Sequence, residues 1–472
     1  MKKRLFIGGE WVEGSSYYDL KSPYNGELLA QIPLATTSEV KAALDQAEKA
    51  FQVIRQMTSL ERATILEKAS QLFQDRLEEC AQILAKENAK PIKTARTEIS
   101  RTIETYKFAA EEAKRIHGET IPMDAAINGK DRFAFTIREP LGIIAAITPF
   151  NFPFNLVAHK LGPAIAVGNS VVLKPANQTP LSALMTAEIF AEAGLPAGGL
   201  NVVTGRGSEI GDVLIGDSRV KMITFTGSVE VGLGIREKAG LKKVTLELGS
   251  NSAVIVDSVN DLDEVAARCV EGSFAFSGQV CISVQRIYVN RQLYDSFLEH
   301  FIEKTKSLVI GDPQDEGTNL SAMISPAEAE RVENWLNEAR NSTANIVYGG
   351  NREGGILHPT VITEVKPTMA ISCKEAFAPI VSIVPYDSFD QAIEYVNDSD
   401  YGLQAGVYTT SIGQAFDAIR KIEVGGVIIN DIPSFRVDQM PYGGVKNSGT
   451  GREGVKYSVE EMTELKLVSF KL

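Results

Sequence analysis

Between Gly142 and Gly249 the chain alternates short apolar, β-branched runs with segments of helical period, and few folds accommodate that rhythm. Ile143 to Ile147, Ser170 to Lys174, Leu200 to Val203, Met222 to Phe225 and Val244 to Leu246 read as strands. A helix is expected at Leu181 to Ala193, with others near Glu209 and Val229. Strands joined through helices run parallel and are covered on both faces, because each crossover lays a helix against the sheet. Ligands then gather at the carboxyl ends of the strands. A second α/β run extends from Ser252 to about Asn430, with strands at Ala253 to Val256, Ile287 to Val289, Ile380 to Val384 and Gly426 to Ile429. The fold class is α/β.

With 472 residues the chain exceeds one ordinary core, so two or three domains are expected. Phe6-Ile-Gly-Gly-Glu-Trp-Val12 reads as a hairpin around Gly8-Gly9. From Ser38, taken as an N-cap, to about Gly118 the apolar spacing is helical, with Pro91 separating two long helices. Arg132 to Glu139 reads as a strand outside the main body. The final residues, Glu464 to Leu472, alternate in the manner of a strand and suit pairing with a partner's edge.

A net charge of −12 argues against nucleic-acid or anionic-membrane partners. The apolar run Leu141 to Thr148 is too short to span a bilayer, and Pro149 follows it. Four widely spaced cysteines (Cys80, Cys269, Cys281, Cys373) form no disulfide framework and no CxxC pair, which points to a reducing compartment. Lys2-Lys-Arg4 has no long apolar region behind it, so a signal peptide is not expected and the cytoplasm is.

Four features carry chemistry. Cys281, in Phe276-Ser-Gly-Gln-Val-Cys-Ile-Ser-Val-Gln-Arg286, lies on a turn between helix and strand, where a thiol can face a cleft; the alternative is a buried core cysteine. Asn151, in Thr148-Pro-Phe-Asn-Phe-Pro153, follows an apolar strand between two prolines, so its amide is a restrained N–H₂ donor or part of an Asx turn. Glu247 and, less clearly, Glu375 are carboxylates in apolar settings, either structurally satisfied or tuned as bases. Gly205-Arg-Gly207-Ser-Glu-Ile-Gly211 misses the dinucleotide fingerprint by one residue, and Gly227-Ser-Val-Glu-Val-Gly232 opens a strand-to-helix turn. These glycines, with Lys174 ending a strand, fit a pyrophosphate cradle or merely tight turns.

Taken together, Thr148-Pro-Phe-Asn-Phe-Pro, Leu173-Lys-Pro, Phe225-Thr-Gly-Ser, Leu246-Glu-Leu-Gly, Gly278-Gln-Val-Cys, Glu375-Ala-Phe and Pro441-Tyr-Gly-Gly-Val-Lys-Asn-Ser-Gly resemble the aldehyde dehydrogenase superfamily in order and separation. Gly278-Gln-Val-Cys-Ile-Ser-Val-Gln and Glu111-Glu-Ala-Lys-Arg-Ile-His-Gly are most similar to the branch of lactaldehyde and non-phosphorylating glyceraldehyde-3-phosphate dehydrogenases. The resemblance implies a Rossmann-type cofactor domain (1–119 and 139–247), an α/β catalytic domain (248–446) and small oligomerisation segments (120–138 and 447–472). It implies Cys281 as nucleophile, Asn151 as oxyanion donor, Glu247 as base and Glu453 as a proton relay. Lys174, Asn177, Gly207, Gly227, Ser228, Glu375 and Phe377 are implied to hold the cofactor, and Arg101 and Phe152 to meet substrate. No metal is expected.

Three positions depart from the family pattern: Ser250 and Ala378 replace glycines, and Asn177 stands where many NAD-preferring members carry Glu. A neutral residue at 177 removes repulsion of a 2′-phosphate, so NADP is expected to be favoured slightly over NAD. The expected activity is oxidation of a small hydroxyaldehyde such as lactaldehyde, or of a short semialdehyde, to the carboxylate by a homodimer or homotetramer. The alternatives are a CoA-acylating semialdehyde dehydrogenase and a non-catalytic dinucleotide-binding relative. Without the resemblance, Arg101 reads equally well as a surface residue paired with Glu98 or Glu104.

Overall fold

The computed structural model describes Met1–Leu472. Its first sheet has eight strands, in the order Glu10–Val12, Leu5–Ile7, Leu200–Val202, Ser170–Lys174, Ile143–Ile147, Val220–Thr226, Lys243–Glu247 and Gly449–Thr450. The five central strands are parallel, as the alternation requires. From Ile143–Ile147 the chain moves outwards through Ser170–Lys174 to Leu200–Val202. It then crosses to the other side for Val220–Thr226 and Lys243–Glu247. That reversal opens a crevice at the carboxyl ends of Ile143–Ile147 and Val220–Thr226, the place where such sheets take ligands.

The N-terminal hairpin adds two antiparallel strands at one edge, with Phe6 opposite Trp11. At the other edge Gly449–Thr450, placed by the resemblance in an oligomerisation segment, pairs with Leu246 and Glu247. The helix Val455–Glu461 likewise lends Val455 and Val459 to the core beneath this sheet. Only Thr463–Lys471 leaves, pairing in register with Arg132–Pro140, which in turn pairs with Thr120–Ile121. The C-terminal strand thus pairs within its own chain, and its outer edge is free.

The helical region differs from expectation in two respects. It contains four helices, Thr37–Ile54, Ser59–Asp75, Leu77–Asn88 and Ile92–Ala113, instead of two long ones. The first is capped by Thr36 and not Ser38, since Thr36 and Glu39 form a reciprocal capping box; Thr58 and Glu61 form another. The second box restarts the helix after Ile54, where apolar spacing alone reads as continuous. Helix Asn155–Val167 is buried along its whole length between the sheet and this helical layer, which accounts for its apolar composition.

The second sheet has seven strands, in the order Asn345–Tyr348, Thr360–Thr363, Ile380–Tyr386, Arg286–Asn290, Ala253–Val256, Gln404–Tyr408 and Gly426–Ile429. Cys281 lies just before Arg286–Asn290, at the amino ends of this sheet, and faces the carboxyl ends of the first. No helix is long and apolar enough to cross a membrane.

Candidate active site

Asn151, Gly227, Ser228, Glu247, Cys281, Glu375 and Phe377 line one cavity of about 430 Å³ between the two sheets. Cys281 follows three successive residues with positive φ: Phe276 (48°), Ser277 (53°) and Gly278 (68°). Two of these are not glycine, and each such residue costs about 1–2 kcal/mol. Side-chain anchors hold the strained turn. Ser277 Oγ donates to the Ser321 carbonyl at 2.8 Å, and Gln279 Oε1 accepts from Ile324 N–H at 2.9 Å. A Cβ on Gly278 would run into the Ala378 carbonyl, so only glycine closes this turn.

Asn151 Nδ2 donates to the Gln279 carbonyl at 3.1 Å, which brings the amide beside the Cys281 turn and leaves its second N–H uncommitted. Its loop is fixed from the helical layer. Buried Lys90 donates both to the Asn151 carbonyl and to Glu98, and stacks on the rings of Phe152 and Phe276 at 3.8 and 4.5 Å. Glu98 accepts from Phe154 and Asn155 N–H, and Asn88 Nδ2 donates to the Phe150 carbonyl at 3.1 Å.

Glu247 ends its strand 3% exposed, with neither carboxyl oxygen hydrogen-bonded. Burial first, and then the charge of Glu453, push it well above the carboxylate range. Glu453 behaves in the opposite way. Burial alone would raise it, but Lys160, His159 and Arg436 bring it down to about 2. Lys160 Nζ donates to Glu453 and to Thr226 Oγ1, both at 2.8 Å, and Arg436 Nη2 donates to the other Glu453 oxygen at 3.2 Å. Environment therefore separates two neighbouring buried carboxyls into one proton-holding and one ionised group. Cys281 is half-buried, and its Sγ lies 2.9 Å from Tyr442 Oη.

At the other end of the crevice, Lys174 closes its strand 7% exposed, and its ammonium meets only the Pro175 carbonyl. Burial pulls it down to about 8. Gly207 opens helix Gly207–Gly216, where a Cβ would touch Lys174 Cε, and Ser228 caps helix Val229–Lys238 through Val231 N–H. Asn177 Oδ1 is buried without a partner. An unpaired acceptor, an under-used cation and a capped helix N-terminus fit the ribose and phosphates of a dinucleotide. Glu375 accepts from Ser250 N–H at 2.9 Å, and burial raises it to about 7. The side chain of Ser250 turns away to Ser252, so a residue larger than glycine fits there. A Cβ on Gly249, by contrast, would strike the Glu375 carboxylate.

Arg101 pairs with Asp438 at 2.6 Å, and neither Glu98 nor Glu104 is its partner; Glu98 is taken by Lys90. His159 Nε2 donates to the same Asp438 oxygen at 2.8 Å. Neither Arg101 nor Phe152 lines the cavity; the Phe152 ring lies over Lys90 and meets the Phe276 ring edge-on. Sequence reasoning passed over Lys90, Lys160, Arg436 and Tyr442. Lys160 did carry a signal, being one of two ionisable residues inside the otherwise apolar run Leu156 to Val167. Arg436 carries none, and Tyr442 lies in Pro441-Tyr-Gly-Gly-Val-Lys-Asn-Ser-Gly with no local feature that marks its hydroxyl.

The model of the Aldehyde dehydrogenase family matches residues 11–468. The chain is 49% identical over 468 residues to a 3-sulfolactaldehyde dehydrogenase of Priestia aryabhattai, covering 99% of this chain and 98% of that protein. Among solved structures it is similar to aldehyde dehydrogenase 21 of Physcomitrella patens in complex with the reaction product succinate, with a TM-score of 0.98 and 41% identity over 100% of this chain and 98% of that one. It is also similar to the glyceraldehyde-3-phosphate dehydrogenase GapN of Methanocaldococcus jannaschii complexed with NADP, with a TM-score of 0.93 and 40% identity over 97% of this chain and 100% of that one. The chain belongs to the aldehyde dehydrogenase family and is an NAD(P)-dependent oxidoreductase acting on aldehydes.

Proposed function

We propose that the chain oxidises a short aldehyde carrying a hydroxyl or an anionic group to its carboxylate, with Cys281 as nucleophile, Asn151 as oxyanion donor and Glu247 as base. The observation that carries this reading is the convergence of the three on one cavity, with Glu247 unpaired inside it. The Cys281 thiolate adds to the carbonyl carbon, and the uncommitted Asn151 N–H stabilises the oxygen that gains charge. A nicotinamide dinucleotide held by Lys174, Asn177, Gly207, Gly227, Ser228, Glu375 and Phe377 supplies the hydride acceptor. Water deprotonated by Glu247 then cleaves the Cys281 thioester, with the Lys160–Glu453 pair behind it as the path for the proton. An unpaired base in the cavity favours water over CoA as acyl acceptor. Assaying an aldehyde panel with both cofactors, with and without CoA, tests this: acyl-CoA as the product would overturn it.

The substrate's far end is assigned from charge. The Arg101 side chain is 24% exposed although its guanidinium is paired with Asp438 and lies outside the cavity lining, and the relatives' sulfolactaldehyde and succinate each carry an anion at a short distance from the reacting carbon. Arg101→Ala is expected to raise KM on the order of tenfold for anionic substrates while sparing short neutral aldehydes. Equal losses for both classes would make Arg101 purely the structural partner of Asp438.

We assign NADP as the slightly favoured cofactor. Asn177 is neutral, and buried Lys174 lies beside Gly207 at the helix N-terminus. Asn177→Glu is expected to move the NADP:NAD ratio of kcat/KM towards NAD by roughly tenfold or more, since a carboxylate repels a 2′-phosphate and binds ribose hydroxyls. Steady-state kinetics with each cofactor checks it; an unchanged ratio would remove position 177 from cofactor choice. The free edge of Thr463–Lys471, with exposed Leu465, Leu467 and Phe470, supports a homodimer or homotetramer, measurable by light scattering. Free cysteines throughout support a reducing, cytoplasmic setting. The boundaries 1–119 with 139–247, and 248–446, remain our assignment of cofactor and catalytic domains, each built around its own mainly parallel sheet.

A further inference from the structure

Tyr442 is 3% exposed, and its hydroxyl has a single hydrogen-bond partner, the sulfur of Cys281 at 2.9 Å. The ring cannot drift from that contact. Tyr442 and Glu453 exchange both backbone hydrogen bonds, at 3.0 and 2.7 Å, and the Arg436 guanidinium lies over the ring 3.6 Å from its centroid. Arg436 is itself held by Glu453. A phenylalanine would fill the same space, and a buried hydroxyl with one partner is unsatisfied without that partner. The phenol is thus set against the thiol, and the cation against the phenol.

We propose that the Tyr442 hydroxyl donates a hydrogen bond to the Cys281 sulfur and stabilises it as the thiolate, with Arg436 stacked on the ring reinforcing that charge. The inference rests on the reading of Cys281 as nucleophile. Ionisation breaks the Cys281 S–H bond, and the proton leaves to water through the cavity that reaches the half-buried sulfur. Tyr442 keeps its own proton throughout, and no oxidant or reductant takes part.

Such help is needed because the other groups facing the sulfur oppose ionisation. The Cys281 thiol stands at about 11 with all of these influences acting: burial raises it most, the Glu375 and Glu247 carboxyls raise it further, and the Tyr442 hydrogen bond and Arg436 hold it down. Burial, followed by the neighbouring Cys281 charge, holds the Tyr442 phenol well above its ordinary range, so it remains a donor at every pH of interest. A hydrogen bond donated to an anion lowers its pKa by favouring the charged form.

The experiment is the pH profile of Cys281 alkylation by iodoacetamide, followed by mass spectrometry on the folded full-length enzyme. Tyr442→Phe is expected to move the midpoint up by about one to two pH units, which slows alkylation below the midpoint roughly 10- to 100-fold. Arg436→Gln, which leaves the hydroxyl in place, is expected to move it in the same direction by less. The thiolate ultraviolet absorbance that disappears in Cys281→Ala gives an independent midpoint for each variant. Profiles that coincide with wild type in both variants would overturn the inference. The parent reading is tested separately by turnover after alkylation: an enzyme alkylated at Cys281 that still turns over contradicts the nucleophile assignment, whatever the profiles show.

Discussion

Cys281→Ala is expected to lower aldehyde oxidation on the order of 10⁴-fold or more, because no other thiol lines the cavity and the covalent route disappears with it. Cys80 and Cys269 are buried in cores and Cys373 is outside the cavity, so none can substitute. Glu247→Gln separates the two halves of the reaction. Acylation proceeds, a single burst of reduced cofactor appears, and the thioester accumulates while turnover slows roughly 10²- to 10⁴-fold. Rapid-quench mass spectrometry detects the adduct. The sign of the pH dependence follows from the direction of the Glu247 shift. Its proton-holding form, favoured by burial and Glu453, cannot act as a base, so wild-type deacylation rises with pH as Glu247 ionises. In Glu247→Gln that rise is absent. Full turnover by Cys281→Ala, or a Glu247→Gln variant that hydrolyses its thioester at the wild-type rate, would contradict the mechanism.

Three of the residues that line the cavity, and to which we assign the chemistry, stood out in the sequence because each sits at a strand end or rigid turn whose local pattern is unusual. Asn151 lies between two prolines, Glu247 is a charge in an apolar strand, and Cys281 follows a short Ser-Gly. The five parallel strands of the first sheet were legible for the same reason, their apolar runs being bounded by helices. Gln404–Tyr408 was not, since Gln404 and Gly406 weaken its strand character; a Cβ at 406 would meet the Asp431 carbonyl. Pairings were the least legible. Lys160 meets Glu453 across 293 positions and Arg101 meets Asp438 across 337, and nothing local in either segment specifies the other. The Arg101 pairings offered by helical spacing, Glu98 and Glu104, failed because Glu98 points inwards to a buried lysine.

That buried pair has consequences beyond stability. Lys90→Met removes the cation from Glu98, two aromatic rings and the Asn151 carbonyl together. Breaking a buried ion pair from one side costs about 3–5 kcal/mol, because the remaining charge stays desolvated. Glu98 would keep only the Phe154 and Asn155 N–H groups. A lower Tm and a lower denaturant midpoint are therefore expected. The double variant Lys90→Met/Glu98→Gln leaves no bare charge and is expected to regain a large part of that stability. Activity is expected to behave differently. With the Asn151 carbonyl released, the amide is expected to keep only its bond to the Gln279 carbonyl and to lose its fixed place beside the Cys281 turn, and if it is the oxyanion donor we propose, kcat falls about 10²- to 10³-fold. The double variant should remain that slow with KM little changed, since the loss falls on the transition state and not on ground-state binding. Denaturation and steady-state kinetics on the same preparations decide between the two roles. If kcat recovers along with stability in the double variant, Lys90 serves only the fold; if stability recovers alone, the helical layer holds the oxyanion donor in position through it.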